Sequence, residues 1–175
     1  MRPPTVVLDA IDERVSGVAM TGGRRTTREQ WHMTLQFLGN GADVDAVASA
    51  LQSEPFGLGA GEVRLSGADA LGDRRRARIV ALGLCDGAAW MQELANAVER
   101  RLAPLGYTRA EREPFLAHLT LARFRAPTDL RGLCAAVGSE PVGPSWRVDE
   151  FVLFESRLEP EGARHVLRAK FPVGT

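Results

Sequence analysis

Cysteine, net charge and long apolar runs are all scarce in this chain, and each shortage excludes something. Only Cys85 and Cys134 occur in 175 residues, too few for a disulfide framework; two buried, inert thiols in a reducing compartment are expected. Lys plus Arg is 22 and Asp plus Glu is 22, a net charge of zero. A protein that coats polyanions would be basic, so any nucleic-acid role must be local to a site. No apolar run approaches the ~18 residues of a membrane helix. Met1 to Pro4 lead into a short apolar stretch rather than a signal peptide, so a cytoplasmic protein with no membrane association is expected. What is there is ordinary: 45% apolar and 25% charged residues, enough to build a packed core.

Periodicity divides the chain into short elements. Thr5 to Ile11 reads as a β-rich run, with Asp12 capping a helix through Met20. Trp31 to Leu38 reads as a strand closed by the turn Gly39-Asn40-Gly41, and Asp43 to Leu51 has helical spacing. A glycine loop, Phe56 to Gly61, precedes two strands, Glu62 to Leu71 and Arg78 to Leu84, joined by a basic tip at Asp73 to Arg76. Ala88 to Leu105 carries the clearest amphipathic stripe, at Met91, Leu94, Ala95, Val98 and Leu102, and is ended by Pro104 and Gly106. Phe115 to Phe124 is a strand, and a short helix runs from Pro127 to Val137. Arg147 to Phe154 is a further strand, which a turn at Pro160-Glu161-Gly162 connects to an extended piece, Arg164 to Phe171. Without the regular alternation of a parallel doubly wound sheet, the fold class is α+β.

One pattern occurs twice. His32-Met33-Thr34-Leu35 and His118-Leu119-Thr120-Leu121 share the form His-x-Thr-x about half a chain apart, each on a predicted strand that precedes a predicted helix. A duplicated half-domain would produce this spacing. On a strand, residues two apart share a face, so His32 lies with Thr34 and His118 with Thr120. By the same parity Trp31, Met33, Leu35 and Phe37 turn toward a core, as do Leu119 and Leu121. Two such strands side by side make a cleft lined by two imidazoles and two hydroxyls.

That set suits phosphodiester chemistry. An imidazole titrating near pH ~6.5 serves as base or acid near neutrality. One takes a proton from attacking water and the other gives a proton to the departing oxygen. The threonine hydroxyls donate to phosphoryl oxygens as charge builds. The repeat makes the two histidines equivalent, so residue chemistry leaves the acid and the base undecided. No metal is needed, and His32, His118 and His165 lack zinc-ligand spacing. No Gly-x-Ser-x-Gly elbow is present, and Gly57 to Gly61 lacks the lysine of a phosphate loop.

With these motifs the chain resembles the two-histidine phosphoesterases, in the branch of the RNA 2′,3′-cyclic phosphodiesterases, also called the 2′-5′ RNA ligase family. Besides the two motifs, the blocks WHMTLQFLG (31–39), PFLAHLTLAR (114–123) and VDEFVLFESRL (148–158) with Gly162-Ala163-Arg164 are similar to that family in sequence and order. The resemblance runs from about Val6 to Pro172. It implies one bilobal domain over residues 1–175: two pseudo-symmetric lobes, each offering an antiparallel sheet to a central cleft, with helices outside. It implies hydrolysis of a terminal 2′,3′-cyclic phosphate on RNA 3′ ends or nucleotides to a 2′-phosphate, without cofactor or metal, by a monomer. His32 would then be the proton donor and His118 the proton acceptor, with Thr34 and Thr120 on the phosphate. End-joining through a 2′-5′ bond, or binding without turnover, would use the same cleft.

Three further residues carry expectations from that resemblance. Arg123 falls where the family has a phosphate-contacting arginine, although strict alternation sends it to the opposite face from Thr120. Phe37 could stack on a base, although parity assigns it to the core. His165 stands where the family often has tyrosine and is expected at the cleft rim. The Arg74-Arg75-Arg76 tip either steers RNA or is simply a solvated turn, the commoner role of a charge run.

Overall fold

A computed structural model describes residues 1–109, 115–159 and 162–174. The elements are α1 (Thr5–Val15), β1 (Gly23–Arg25), α2 (Val44–Gln52), β2 (Gly61–Ala70), β3 (Ala77–Asp86) and α3 (Ala88–Leu102). They continue with β4 (Leu119–Thr128), α4 (Arg131–Val137), β5 (Val142–Val148), β6 (Glu150–Glu159) and β7 (Gly162–Pro172). The fold is α+β, built on two antiparallel sheets. One has five strands in the order β1-β4-β3-β2-β5, the other is the pair β6-β7. Helices α1, α4 and α2 pack on β5, β2 and β7 respectively.

Apolar spacing explains most of these elements. Helix α3 buries Met91, Leu94, Ala95, Val98 and Leu102, its predicted stripe. It passes into a 3-10 turn at Ala103–Leu105 and ends on Gly106 with φ 85°, a left-handed value that glycine adopts without strain. Asp43 caps α2 by accepting from the backbone N–H groups of Asp45 and Ala46. Strands β2 and β3 form the predicted hairpin, with Asp73 to Arg76 at its tip.

Four local expectations are corrected. Thr5 to Ile11 is helix rather than strand: Val7, Leu8, Ile11 and Val15 are buried in one helical stripe, and that tertiary face overrides the β-branched composition. Asp12 does not start a helix but lies within α1, where with Asp9 it holds Arg28 at 2.5 and 2.6 Å. Trp31 to Leu38 is not a strand: it bends at Leu35 and has no ladder beyond one bridge, Met33 to Leu119. After Met33 its polar groups turn elsewhere, as Gln36 Nε2 donates to the Tyr107 carbonyl at 3.2 Å. The stretch from Arg147 to Phe154 is divided between the end of β5 and the start of β6. Pro160 and Glu161, in the predicted last turn, lie outside the described residues.

Two features aim the site. Strand β4 contains a bulge: Val80 pairs with Ala122, but the next residue, Ala81, pairs with Thr120. Burial changes phase there, since Leu119 and Leu121 are buried before it and Ala122 and Phe124 after it. A bulge of this kind re-aims the side chains beyond it. Strand β1 lies at the edge beside β4, with Gly23 against the Phe124 ring. A Cβ on Gly23 would sit 2.6 Å from that ring, so the close approach of β1 requires glycine.

Candidate active site

Trp31 anchors the first motif. It is 1% exposed, and its indole Nε1 donates at 3.0 Å to Thr26 Oγ1. The Thr26 hydroxyl in turn donates to the carbonyls of Thr120 at 2.7 Å and Leu121 at 2.9 Å. The motif is thereby fastened to the second motif's own backbone. On its other side Met33 exchanges two backbone hydrogen bonds with Met1, each 2.8 Å.

The register of that junction decides the site. Met33 and Leu119 are antiparallel partners, both buried. Their flanking residues therefore face each other as His32 with Thr120 and Thr34 with His118. Partners so placed share one face, with Cβ atoms about 4.5–5.5 Å apart. The two histidines and two threonines form a quartet on that face, and a local two-fold axis passes between Met33 and Leu119. The predicted parity holds for Trp31, Met33 and Leu35, all buried, and fails at Phe37, which is 78% exposed. The segment has bent at Leu35 and left β4 by then, so strand alternation no longer governs it.

The hydrogen bonds repeat the symmetry. His32 Nδ1 lies 2.6 Å from the Gln30 carbonyl, and His118 Nδ1 lies 2.8 Å from the Leu116 carbonyl. A carbonyl only accepts, so Nδ1 carries the proton in both rings and Nε2 is left to exchange protons with a ligand. Each imidazole is fixed in tautomer and rotation by the backbone two residues earlier. No side-chain motif encodes this bond, so it is invisible in the sequence.

Arg123 joins the quartet. Its Nη2 donates to Thr120 Oγ1 at 3.4 Å, and its charge is felt at His32. The bulge at Leu121-Ala122 resets the alternation and so brings it to the face of Thr120. Two adjacent apolar residues in an otherwise alternating strand are the available signal.

The β6-β7 pair walls the His32 side. The His165 ring meets the His32 ring edge-on at 4.5 Å between centroids, and Phe154 lies 6.2 Å from His32. Ser156 Oγ is 3.0 Å from His165 Nδ1, across the β6-β7 ladder where the two residues are partners. Sequence reasoning overlooked Phe154 and Ser156, although both stand in the block from Val148 to Leu158. His165 lies against the first-motif imidazole itself, half-buried.

Other expectations fall away from the cleft. The basic tip adjoins the Thr128 end of β4, where Ala77 pairs with Thr128, four residues along β3 from the partner of Thr120, roughly 13 Å away. Arg74 there is engaged by Asp69 at 2.6 Å. Of the two thiols, Cys134 is buried but Cys85 is exposed. Strand β3 turns Cys85 outward, with its Sγ donating to the Leu65 carbonyl at 3.4 Å.

Burial holds His32 neutral. Its pKa is pushed down to about 4, first by desolvation, opposed by the Gln30 carbonyl and reinforced by the positive charge of His165, the amino group of Met1 and Arg123. Burial lowers His165 as well, with Arg2 adding to the effect. The unfolded chain takes up a proton on His32 near pH 6.5 while the folded chain does so only near pH 4. Stability is therefore fully present above that upper value and falls as pH drops through the window. Urea denaturation across that range is expected to show this slope, and His32→Gln is expected to flatten it. A slope unchanged in the variant would contradict the assignment.

The quartet is set in a fold shared with solved phosphoesterases. The structure superposes on TT0787 of Thermus thermophilus with a TM-score of 0.77 at 22% identity, over 98% of this chain and 94% of that one. It superposes on E. coli LigT complexed with 3′-AMP with a TM-score of 0.76 at 22% identity, with the same coverage. Among curated proteins, the RNA 2′,3′-cyclic phosphodiesterase of Aeropyrum pernix is 29% identical over 142 residues, 77% of either chain. The 2′-5′ RNA ligase superfamily model matches residues 7–159, and the chain belongs to that superfamily. No helix among the described residues is long and apolar enough to cross a membrane.

Proposed function

We propose that this protein hydrolyses the terminal 2′,3′-cyclic phosphate of RNA to a 2′-phosphate, using paired histidines and no metal. The observation that carries the reading is the two-fold quartet, in which both imidazoles are tied at Nδ1 to backbone carbonyls and free at Nε2. The name of the Aeropyrum relative supports it.

In this mechanism the cyclic phosphate lies between the motifs, its oxygens on Thr34, Thr120 and Arg123. His118 Nε2 takes a proton as water attacks phosphorus, and the new P–O bond forms in line with the P–O3′ bond that breaks. His32 Nε2 gives its proton to O3′. One proton is taken up and one released, so the enzyme is restored by exchange between the two imidazoles and solvent. A neutral His32 is a poor donor. The bound phosphate supplies the negative charge that favours its imidazolium form and offsets its low pKa. Assignment of donor and acceptor to these particular histidines rests on family resemblance, because the two motifs are equivalent in register and in their Nδ1 hydrogen bonds. Phe37, exposed beyond the first motif, is available to stack on the terminal base.

The test is incubation with nucleoside 2′,3′-cyclic and 3′,5′-cyclic phosphates in excess chelator. The expected outcome is a 2′-phosphate from the former and no reaction of the latter. Release of a 3′-phosphate, or activity only when a divalent ion is restored, would refute the reading.

A further inference from the structure

The edge of the five-stranded sheet carries an arrangement that folding alone disfavours. In the β1-β4 pair, Arg24 lies directly opposite Arg123. Cross-strand partners present their side chains to one face, and like charges so placed cost stability. Elsewhere a carboxylate offsets such charges: Arg147 lies opposite Glu62, Arg157, itself opposite Arg164, shares Glu155 with Arg168, and Lys170 takes Glu150. Beyond the bulge, exposure alternates so that Arg125 shares the face of Arg123 while Phe124 points inward. Among the described residues, Arg24, Arg123 and Arg125 have no acidic partner, and Arg123 has its hydrogen bond to Thr120.

The result is a stripe of unpaired guanidinium groups that begins at the quartet and leads away from it. Arg123 and Arg125 are spaced about 7 Å apart along β4. Guanidinium forks match phosphate oxygens in geometry as well as charge. In a chain of zero net charge, such a stripe is the local basic surface that an RNA-handling site requires.

We propose that Arg24 and Arg125 extend the cleft into a track for the backbone phosphates that precede the cyclic one, so that an RNA strand is engaged upstream of its terminal nucleotide. This rests on the function proposed above. Arg123 serves both ends, because it touches Thr120.

The experiment compares two substrates, a nucleoside 2′,3′-cyclic phosphate and a short oligoribonucleotide ending in the same cyclic phosphate. Wild type, the double variant Arg24→Ala/Arg125→Ala and the control Arg147→Ala are assayed at several salt concentrations. For the double variant, kcat/KM on the oligonucleotide is expected to fall roughly tenfold per arginine, with the mononucleotide unaffected. The salt dependence on the oligonucleotide is expected to lose about 1.4 in log–log slope, for two phosphate contacts to a single strand. A merely structural role would not move that slope. Equal losses on both substrates, no loss on either, an unchanged slope or the same loss in Arg147→Ala would each overturn the track. Wild-type protein inactive on both substrates would instead overturn the proposed function, and the track with it.

Discussion

Replacing His32 or His118 with alanine is expected to lower kcat on a 2′,3′-cyclic phosphate by about 10²–10⁴-fold, the range for loss of a general acid or base. The double variant should lose much less than the product of the two, because the histidines act on one phosphorus in one step. Unfolding is expected to change little, since both side chains lie on the cleft face, and the buried partners Met33 and Leu119 remain in place. The pH–rate profile supplies the assignment that symmetry withholds. Loss of the base removes the acid limb and loss of the acid removes the alkaline limb, so each variant should flatten a different side. Full turnover in both variants, measured in chelator with intact far-UV circular dichroism, would exclude the paired-histidine mechanism.

The largest effect on stability is expected at Trp31. Trp31→Ala removes a side chain that is 1% exposed, and core truncations of this size cost about 3–5 kcal/mol. For a chain of this length the melting temperature should fall on the order of 10 °C. The same change removes the donor to Thr26 Oγ1, the link by which the first motif is fastened to β4. Activity should therefore drop even where the variant remains folded, because His32 is the next residue. Trp31→Phe keeps most of the packing and loses only the indole hydrogen bond, worth about 1 kcal/mol. Recovery of the melting temperature by phenylalanine without recovery of kcat would assign the positioning of His32 to that bond. An alanine variant as stable as wild type would show that the anchor is not Trp31.

The legibility of this chain varies with the distance over which each feature is decided. Helix α3 is readable because its apolar stripe and its terminating Pro104 and Gly106 lie within a few turns of each other. The β2-β3 hairpin is readable for the same reason. The two motifs are readable as a repeat, which also implies that their histidines and threonines share a face. Helix α1 is misread because Val6, Val7, Leu8 and Ile11 suit either period, and only packing against β5 selects the helical one. Phe37 is assigned to the core by an alternation that ends where the segment parts from β4. Cys85 is expected inside for its residue type, but its strand turns it outward.

Residue identity along short windows was enough to specify helices α2 and α3, the hairpin, the α+β class and the chemistry of imidazole beside hydroxyl. Those depend on side-chain period and backbone preference, which act between near neighbours. Tertiary structure alone decided that Met33 meets Leu119, that a bulge turns Arg123 toward Thr120, and that His165 lands against His32. Each of these is a choice of register between segments far apart in the chain. A shift of one residue would reverse every face, and only the full set of backbone hydrogen bonds and buried side chains selects among the alternatives.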